Sequence, residues 1–164
     1  GAGIFYGYVA VDVPRLVENL SGCGRDSWRE HADSDTKELL DLLIHAVSQV
    51  TPGAKLGATA PYARSECVIL EAGTSQPRSL ANAFLRPIRP GLFGQHPMEQ
   101  SVKALADYLD GLDRMYGADD GRRWVASLHP WHRSQEPVVS LREAVDDAIT
   151  YALGEHHGRA NITA

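Results

Sequence analysis

The fold is decided by two strings of sequence, SDTKELLDLLIHAVSQV (residues 34–50) and ECVILE (residues 66–71). Apolar residues recur at helical spacing in the first string, and Ser34 or Asp35 can cap its start, so it predicts an amphipathic helix. The second string is a short apolar run between turn signals and predicts a strand. The stretch between them is rich in Gly, Ala and Thr without any period, which indicates a loop.

An apolar segment near the start, Ile4–Val11 (IFYGYVAV), predicts a further strand. Its apolar residues fall on both faces, which is typical of a strand inside a covered sheet. Such a strand needs neighbours on both sides and one other strong strand follows, so we expect a fragment or one part of a split protein. Strand, helix, loop and strand make half of a split βαβ, or ferredoxin-like, sheet, which RNA-recognition domains also use. We expect the helix to pack on the sheet of Ile4–Val11 and Cys67–Leu70 through Leu39, Leu43 and Val47.

The remaining patterns add helices to this sheet. Asp12 can cap a short helix, and Ser140 with Glu143 has the spacing of a capping box. The other predicted elements are a helix over Met98–Leu112 that ends near Gly117, an edge strand at Trp124–Leu128 and a helix over Leu141–Leu153, with a loose tail after Gly154. The expected fold class is α+β: part of a ferredoxin-like, RNA-recognition-motif-like palm (β-α-β) with additional helices, in a single unit over residues 1–164.

The composition is that of an ordinary globular domain. The chain has 164 residues, of which 43% are hydrophobic and 23% charged, which is the usual profile of a soluble domain. No apolar run approaches the ~18 residues that a membrane span needs. Cys23 and Cys67 are the two cysteines, so we expect no disulfide framework. These features predict a cytoplasmic protein without a membrane partner.

Positive charge is concentrated in one segment. The net charge is -5, which at first argues against a nucleic-acid partner. Within residues 51–90, however, five basic residues stand against two acidic ones, whereas residues 1–50 and 91–164 are both acidic on balance. Polyanion binding depends on local clustering of charge, so Arg78 in this segment is a candidate RNA contact. Ordinary surface variation explains a surplus of this size equally well.

The loop over Thr51–Arg64 carries groups that suit RNA. Lys55 and Arg64 can neutralise phosphates. Thr59 offers a hydroxyl, and Tyr62 can stack on a base. Small residues between them let a backbone approach closely. The alternative is a loop whose Tyr62 merely covers the edge of the sheet.

No set of residues assembles an active site. His129 and His132 have a spacing that a metal can use, but structural zinc needs four ligands and catalytic zinc usually three. Surface or packing histidines are the simpler interpretation. Asp119-Asp120 is typical of a turn, and the chain has neither a phosphate-loop motif nor a Gly-x-Ser-x-Gly elbow. We expect no catalytic residue, no metal site and no cofactor.

Five short segments resemble a known family in their order and spacing. They are Gly3–Tyr8 (GIFYGY), Leu16–Leu20 (LVENL), Thr51–Lys55 (TPGAK), Ala60–Arg64 (APYAR) and Leu80–Phe84 (LANAF). Together they resemble the carboxy-terminal half of CasC, the backbone subunit of the type I-E CRISPR Cascade complex. The resemblance runs from Gly1 to about Tyr116.

The resemblance implies a non-catalytic subunit that binds CRISPR RNA (crRNA). CasC proteins have an RNA-recognition-like palm, helical fingers and a hairpin thumb, and several copies line up along the guide RNA. The palm is built from both halves of the chain, so fingers and thumb are expected to be absent here. The implied partners are crRNA, neighbouring copies of the same subunit, other Cascade subunits and target DNA through the RNA. By position the loop around Lys55 should face the RNA, although Leu56-Gly57 stands where relatives can carry more polar residues.

Two hypotheses from other classes stay open. One is a regulatory or structural protein that shares the palm fold and binds no guide RNA; a polar, uncharged loop face would favour it. The other is a metal-dependent hydrolase that uses His129, His132 and an acid such as Asp120. A metal with three converging protein ligands would favour the hydrolase.

Overall fold

A computed structural model describes residues 4–49, 64–88, 96–117 and 121–154. The described part contains four α-helices, two β-strands and two short 3-10 helices. In chain order they are α1 (Val13–Ser21), a 3-10 helix (Arg25–His31), α2 (Ser34–Gln49), β1 (Cys67–Ala72), a 3-10 helix (Ala81–Phe84), α3 (Pro97–Tyr116), β2 (Arg122–Ser127) and α4 (Leu141–Leu153). This mixture of helices and strands confirms the α+β class. Most of the predicted loop and the predicted loose tail lie outside the described residues.

The two strands form an antiparallel pair. The register places Ile69 of β1 opposite Val125 of β2, and Val125 also makes an isolated parallel bridge to Val138. Just before β2, a Cβ atom on Gly121 would lie 2.9 Å from the carbonyl oxygen of Ala72, so this close approach requires glycine. The strands predicted at residues 66–71 and at Trp124–Leu128 are confirmed, with their ends shifted by one or two residues.

α4 packs against both strands and against α2. Val145 and Ile149 are almost completely buried and cluster with Leu40 of α2. On the same helix, Ala144 is buried against Trp124 of β2. Burying an aliphatic side chain of this size contributes about 1.5–3 kcal/mol, so these contacts hold the helical layer on the sheet.

A second apolar cluster joins α3 to the chain that follows β1. Leu105 and Leu109 of α3 are buried against Leu80, and Phe84 and Trp131 pack around them. Leu109 is fully buried, with 0% of its surface exposed. None of the described helices combines the length and the apolar character that crossing a membrane requires.

α2 begins one residue earlier than expected, and its predicted cap is wrong. The carboxylate of Asp33 accepts hydrogen bonds from the backbone N–H of Thr36 at 3.0 Å and from its hydroxyl at 3.2 Å. A carboxylate in this position satisfies a free N–H group of the first turn, so neither Ser34 nor Asp35 is needed as the cap. The other predicted caps are confirmed: Asp12 accepts from the N–H of Arg15, and Ser140 from the N–H of Glu143.

The predicted packing face of α2 is also wrong. Leu39, Leu43 and Val47 are 41%, 36% and 46% exposed. The helix instead packs through Leu40, which contacts Val145 of α4. Apolar residues surround much of this helix, so their spacing alone cannot select the buried face. Its buried residues are Thr36, Leu40 and Ser48.

The segment Ile4–Val11 is not a strand, which corrects the sequence prediction. Phe5 is 83% exposed. The hydroxyl of Tyr6 accepts a hydrogen bond from the N–H of Leu80 at 2.8 Å, and its ring lies 5.7 Å from that of Phe84. Apolar residues favour a sheet, but a strand also needs a hydrogen-bonding partner, and β1 pairs only with β2 among the described residues. The ferredoxin-like palm stays a prediction.

Candidate nucleic-acid interface

Two of the five predicted RNA contacts lie in the described residues. Lys55, Thr59 and Tyr62 lie outside them. Arg64 is exposed and comes three residues before β1. Arg78 follows β1, and its side chain is only 19% exposed.

Two backbone hydrogen bonds fix the chain beside Arg64. The N–H of Ser65 donates to the carbonyl of Ser48 in the last turn of α2, at 2.9 Å. The carbonyl of Glu66 accepts from the N–H of Leu128, just after β2, at 2.8 Å. Arg64 therefore lies where the end of α2, the start of β1 and the end of β2 meet.

Arg78 lies near the other end of β1. Its Nη2 atom is 3.0 Å from Oε1 of Glu71 and 3.8 Å from Oδ1 of Asp113. Since a strand rises about 3.3 Å per residue, the Cα atoms of Cys67 and Glu71 are about 13 Å apart. The structure therefore does not bring Arg64 and Arg78 together, and it holds Arg78 against carboxylates.

These carboxylates belong to a network that ties α3 to β2 and to the segment after β2. Asp113 accepts hydrogen bonds from Arg123 at 2.7 Å and from Arg133 at 2.8 Å. Arg133 also donates to Glu136 at 2.8 Å. The hydrogen bond from Arg123, reinforced by Arg133, lowers the pKa of Asp113 from 3.8 to about 2. Because every guanidinium group of this network is bonded to at least one carboxylate, the network stabilises the packing of the elements that it joins.

A second charged contact lies beside Arg64. Nε2 of His129 is 2.6 Å from Oε2 of Glu66, and the His129 side chain is 15% exposed. The ring of His129 lies nearly parallel to that of His96, with 5.9 Å between centroids. His96 in turn caps α3, because its Nδ1 atom accepts a hydrogen bond from the N–H of Met98. The Glu66 carboxylate is thus bonded to a residue just after β2, whose ring lies beside His96 at the start of α3.

Both acids of the positive segment are paired in this way. Glu66 contacts His129, and Glu71 contacts Arg78 and Arg123. No ion pair joins Arg64 to another residue of the described part. Arg64 therefore presents positive charge at the surface, while the carboxylates of Glu66 and Glu71 are bonded to other side chains.

Comparison with known proteins adds a family to this geometry. Residues 1–150 match the family model of CT1975-like proteins, which are CRISPR-associated (Cas) proteins. The chain belongs to this Cas family. No curated protein matches it. Membership agrees with the CRISPR part of the resemblance carried by the five short segments, whereas the narrower CasC identity stays a prediction.

In this CT1975-like chain, those residues of the hydrolase hypothesis that the structure describes do not converge on one site. Asp120 lies outside the described residues, His132 is exposed, and His129 is half-buried against Glu66. Within the described ranges, no three His, Cys, Asp or Glu side chains are grouped so that they could hold a metal ion. The interpretation of His129 and His132 as packing and surface histidines fits their positions.

The sequence of this Cas-family chain did not predict the contact between Glu66 and His129. The two residues are 63 positions apart, so no local pattern joins them. One signal was present: both strands were predicted, and an antiparallel pairing of their ends brings Glu66 next to the residues after Ser127. Strand pairing, rather than motif spacing, would have revealed the contact.

Proposed function

We propose that the chain is part of a non-catalytic, crRNA-binding backbone subunit of the CasC kind, in a type I-E Cascade antiviral surveillance complex. The observation that carries this proposal is membership of a CRISPR-associated family over residues 1–150. The five segments that resemble CasC support the narrower proposal of a backbone subunit. Its partners would be crRNA, neighbouring copies of the subunit and other Cascade subunits.

The electrostatics of the described residues support this proposal. A chain with a net charge of -5 can bind a polyanion only through a local positive surface. Arg64 is exposed, whereas Arg123 and Arg133 are bonded to buried or half-buried carboxylates. Arg64 is therefore well placed to contact a phosphate.

The proposed RNA-facing surface runs from Ala54 to Arg64. In it, Lys55 and Arg64 contact phosphates, Thr59 contributes its hydroxyl, and Tyr62 lies near a base or ribose. Arg78 is also a predicted RNA contact, but its guanidinium already forms an ion pair with Glu71, which partly compensates its positive charge. A scaffold that coats any guide must recognise backbone and shape, so these contacts should be largely independent of RNA sequence.

Removing both cations should weaken RNA binding and make it less sensitive to salt. The salt slope is the magnitude of the slope of log affinity against log salt concentration. For single-stranded RNA, each lost phosphate contact reduces it by ~0.7, so Lys55→Ala with Arg64→Ala should reduce it by about 1.4. Fluorescence anisotropy of the full-length subunit with two guides of unrelated sequence, over a range of salt concentrations, measures this change. Both guides should lose about equally.

The matched control removes two exposed cations outside the positive segment, Lys37→Ala with Arg142→Ala. This variant has the same change in net charge, and its salt slope should stay at the wild-type value. If the Lys55/Arg64 variant keeps wild-type affinity and slope, or if the control loses as much, the RNA does not lie on this surface.

A further inference from the structure

The hydrogen bond between Glu66 and His129 has a defined direction. An ionised carboxylate only accepts, so Nε2 of His129 carries the hydrogen in the 2.6 Å contact. The backbone of His129 is fixed as well, because Ser127 Oγ accepts from its N–H at 3.0 Å and donates to its carbonyl at 2.9 Å. The imidazole is thus presented to Glu66 by a turn directly after β2.

The ring of His129 also stacks on another imidazole ring. It lies at 11° to the ring of His96, and His96 is held in place because it caps α3 through Met98. The imidazole that binds the Glu66 carboxylate is therefore positioned both by the turn after β2 and by the start of α3. A side chain held from several elements is a stronger constraint than a surface ion pair between two free side chains.

The position of this carboxylate matters because Glu66 is two residues from Arg64. The Glu66 side chain is 42% exposed, so its charge reaches the surface two residues from the exposed Arg64. A free carboxylate there would repel phosphates and would offer Arg64 a bidentate partner within the protein. With His129 present, the carboxylate accepts a hydrogen bond from Nε2 of His129, and among the described residues no ion pair joins it to Arg64.

We propose that His129 is a positioning residue for RNA binding: it holds the Glu66 carboxylate away from Arg64 and leaves the guanidinium to an RNA phosphate. This inference rests on the proposed function, since it assigns a role in the same surface. It explains why an acidic residue can lie beside an RNA-facing arginine. It also gives His129 a role other than that of a metal ligand.

The test combines loss of the hydrogen bond with removal of the carboxylate charge. His129→Phe keeps an aromatic ring against His96 and lacks the donor, so it should lower the salt slope of guide-RNA binding by ~0.7, the value for one phosphate contact. Adding Glu66→Gln to His129→Phe should restore the wild-type slope, because no charge is left to compete for Arg64. His132→Phe, an exposed histidine on the same segment, is the matched control and should leave the slope unchanged.

Thermal melting of each full-length variant separates this effect from a loss of fold, and His129→Ala with and without Glu66→Gln gives the same comparison if His129→Phe does not fold. A lower slope that Glu66→Gln does not restore would overturn the inference and assign His129 a purely structural role. An unchanged slope in His129→Phe would overturn it too, provided that Arg64→Ala lowers the slope. If Arg64→Ala also leaves the slope unchanged, the proposed RNA surface itself fails, and the inference fails with it.

Discussion

Replacing Leu109 with alanine should lower the free energy of unfolding by about 2–5 kcal/mol. Leu109 is completely buried in the cluster that α3 forms with Leu80 and Leu105. The truncation removes apolar contacts and leaves a cavity that the closely packed neighbours of Leu109 cannot close fully. Urea denaturation of the full-length protein measures the loss.

The matched control is Leu128→Ala, since Leu128 is 79% exposed. Its free energy of unfolding should stay within about 0.5 kcal/mol of the wild type, the usual range for surface positions. Equal losses in the two variants would show that α3 is not packed as described.

Removing Arg133 should cost about 3–5 kcal/mol, the range for a broken buried ion pair. Its side chain is 1% exposed and contacts Asp110, Asp113 and Glu136. Glu136 is itself 5% exposed, so Arg133→Ala leaves a buried carboxylate whose remaining partners in the described residues are Arg123, at 3.3 Å, and the indole N–H of Trp131, at 3.4 Å. The same denaturation experiment measures this loss.

Arg142→Ala is the control for this change, because Arg142 also forms an ion pair but is 65% exposed. Exposed pairs contribute at most about 1 kcal/mol, so its effect should be small. A loss of less than about 1 kcal/mol in Arg133→Ala would mean that the network does not hold α3, β2 and the following segment together.

The elements that the sequence predicted correctly are those set by local patterns. α4 follows from its periodic apolar residues and from the Ser140 cap, and β1 follows from a short apolar run between turn signals. Each of these signals lies within a few residues of the element that it predicts. Local structure could therefore be assigned without knowing the neighbours of any element.

Two of the three errors, the strand at Ile4–Val11 and the packing face of α2, arose where distant partners decide the outcome. Ile4–Val11 has the composition of a strand, but a ladder also needs a partner, and the described residues do not provide one. In α2, Leu40 rather than Leu39 or Leu43 is buried because α4 lies on that side. Tertiary contacts, which the spacing of residues in the sequence does not encode, determined both the conformation of Ile4–Val11 and the buried face of α2.

The candidate site divides in the same way. Arg64 was predicted from its residue type and its positive segment, and the structure places it at the surface. The pairing of Arg78 with Glu71 and of Glu66 with His129 could not be predicted from motif spacing, because it depends on how β1 meets β2 and α3. Counting charges along the sequence identifies a positive segment, but the fold determines which of its charges form ion pairs.

The most direct test of whether residues 54–64 face the RNA is ultraviolet crosslinking of guide RNA to the full-length subunit. Mass spectrometry then identifies the crosslinked peptides. We expect crosslinks within residues 54–64, with Tyr62 as a principal site. Two guides of unrelated sequence should give the same crosslinked peptide. Crosslinks confined to other segments of the chain, or a peptide that changes with the guide, would contradict the assignment of this surface to the RNA backbone.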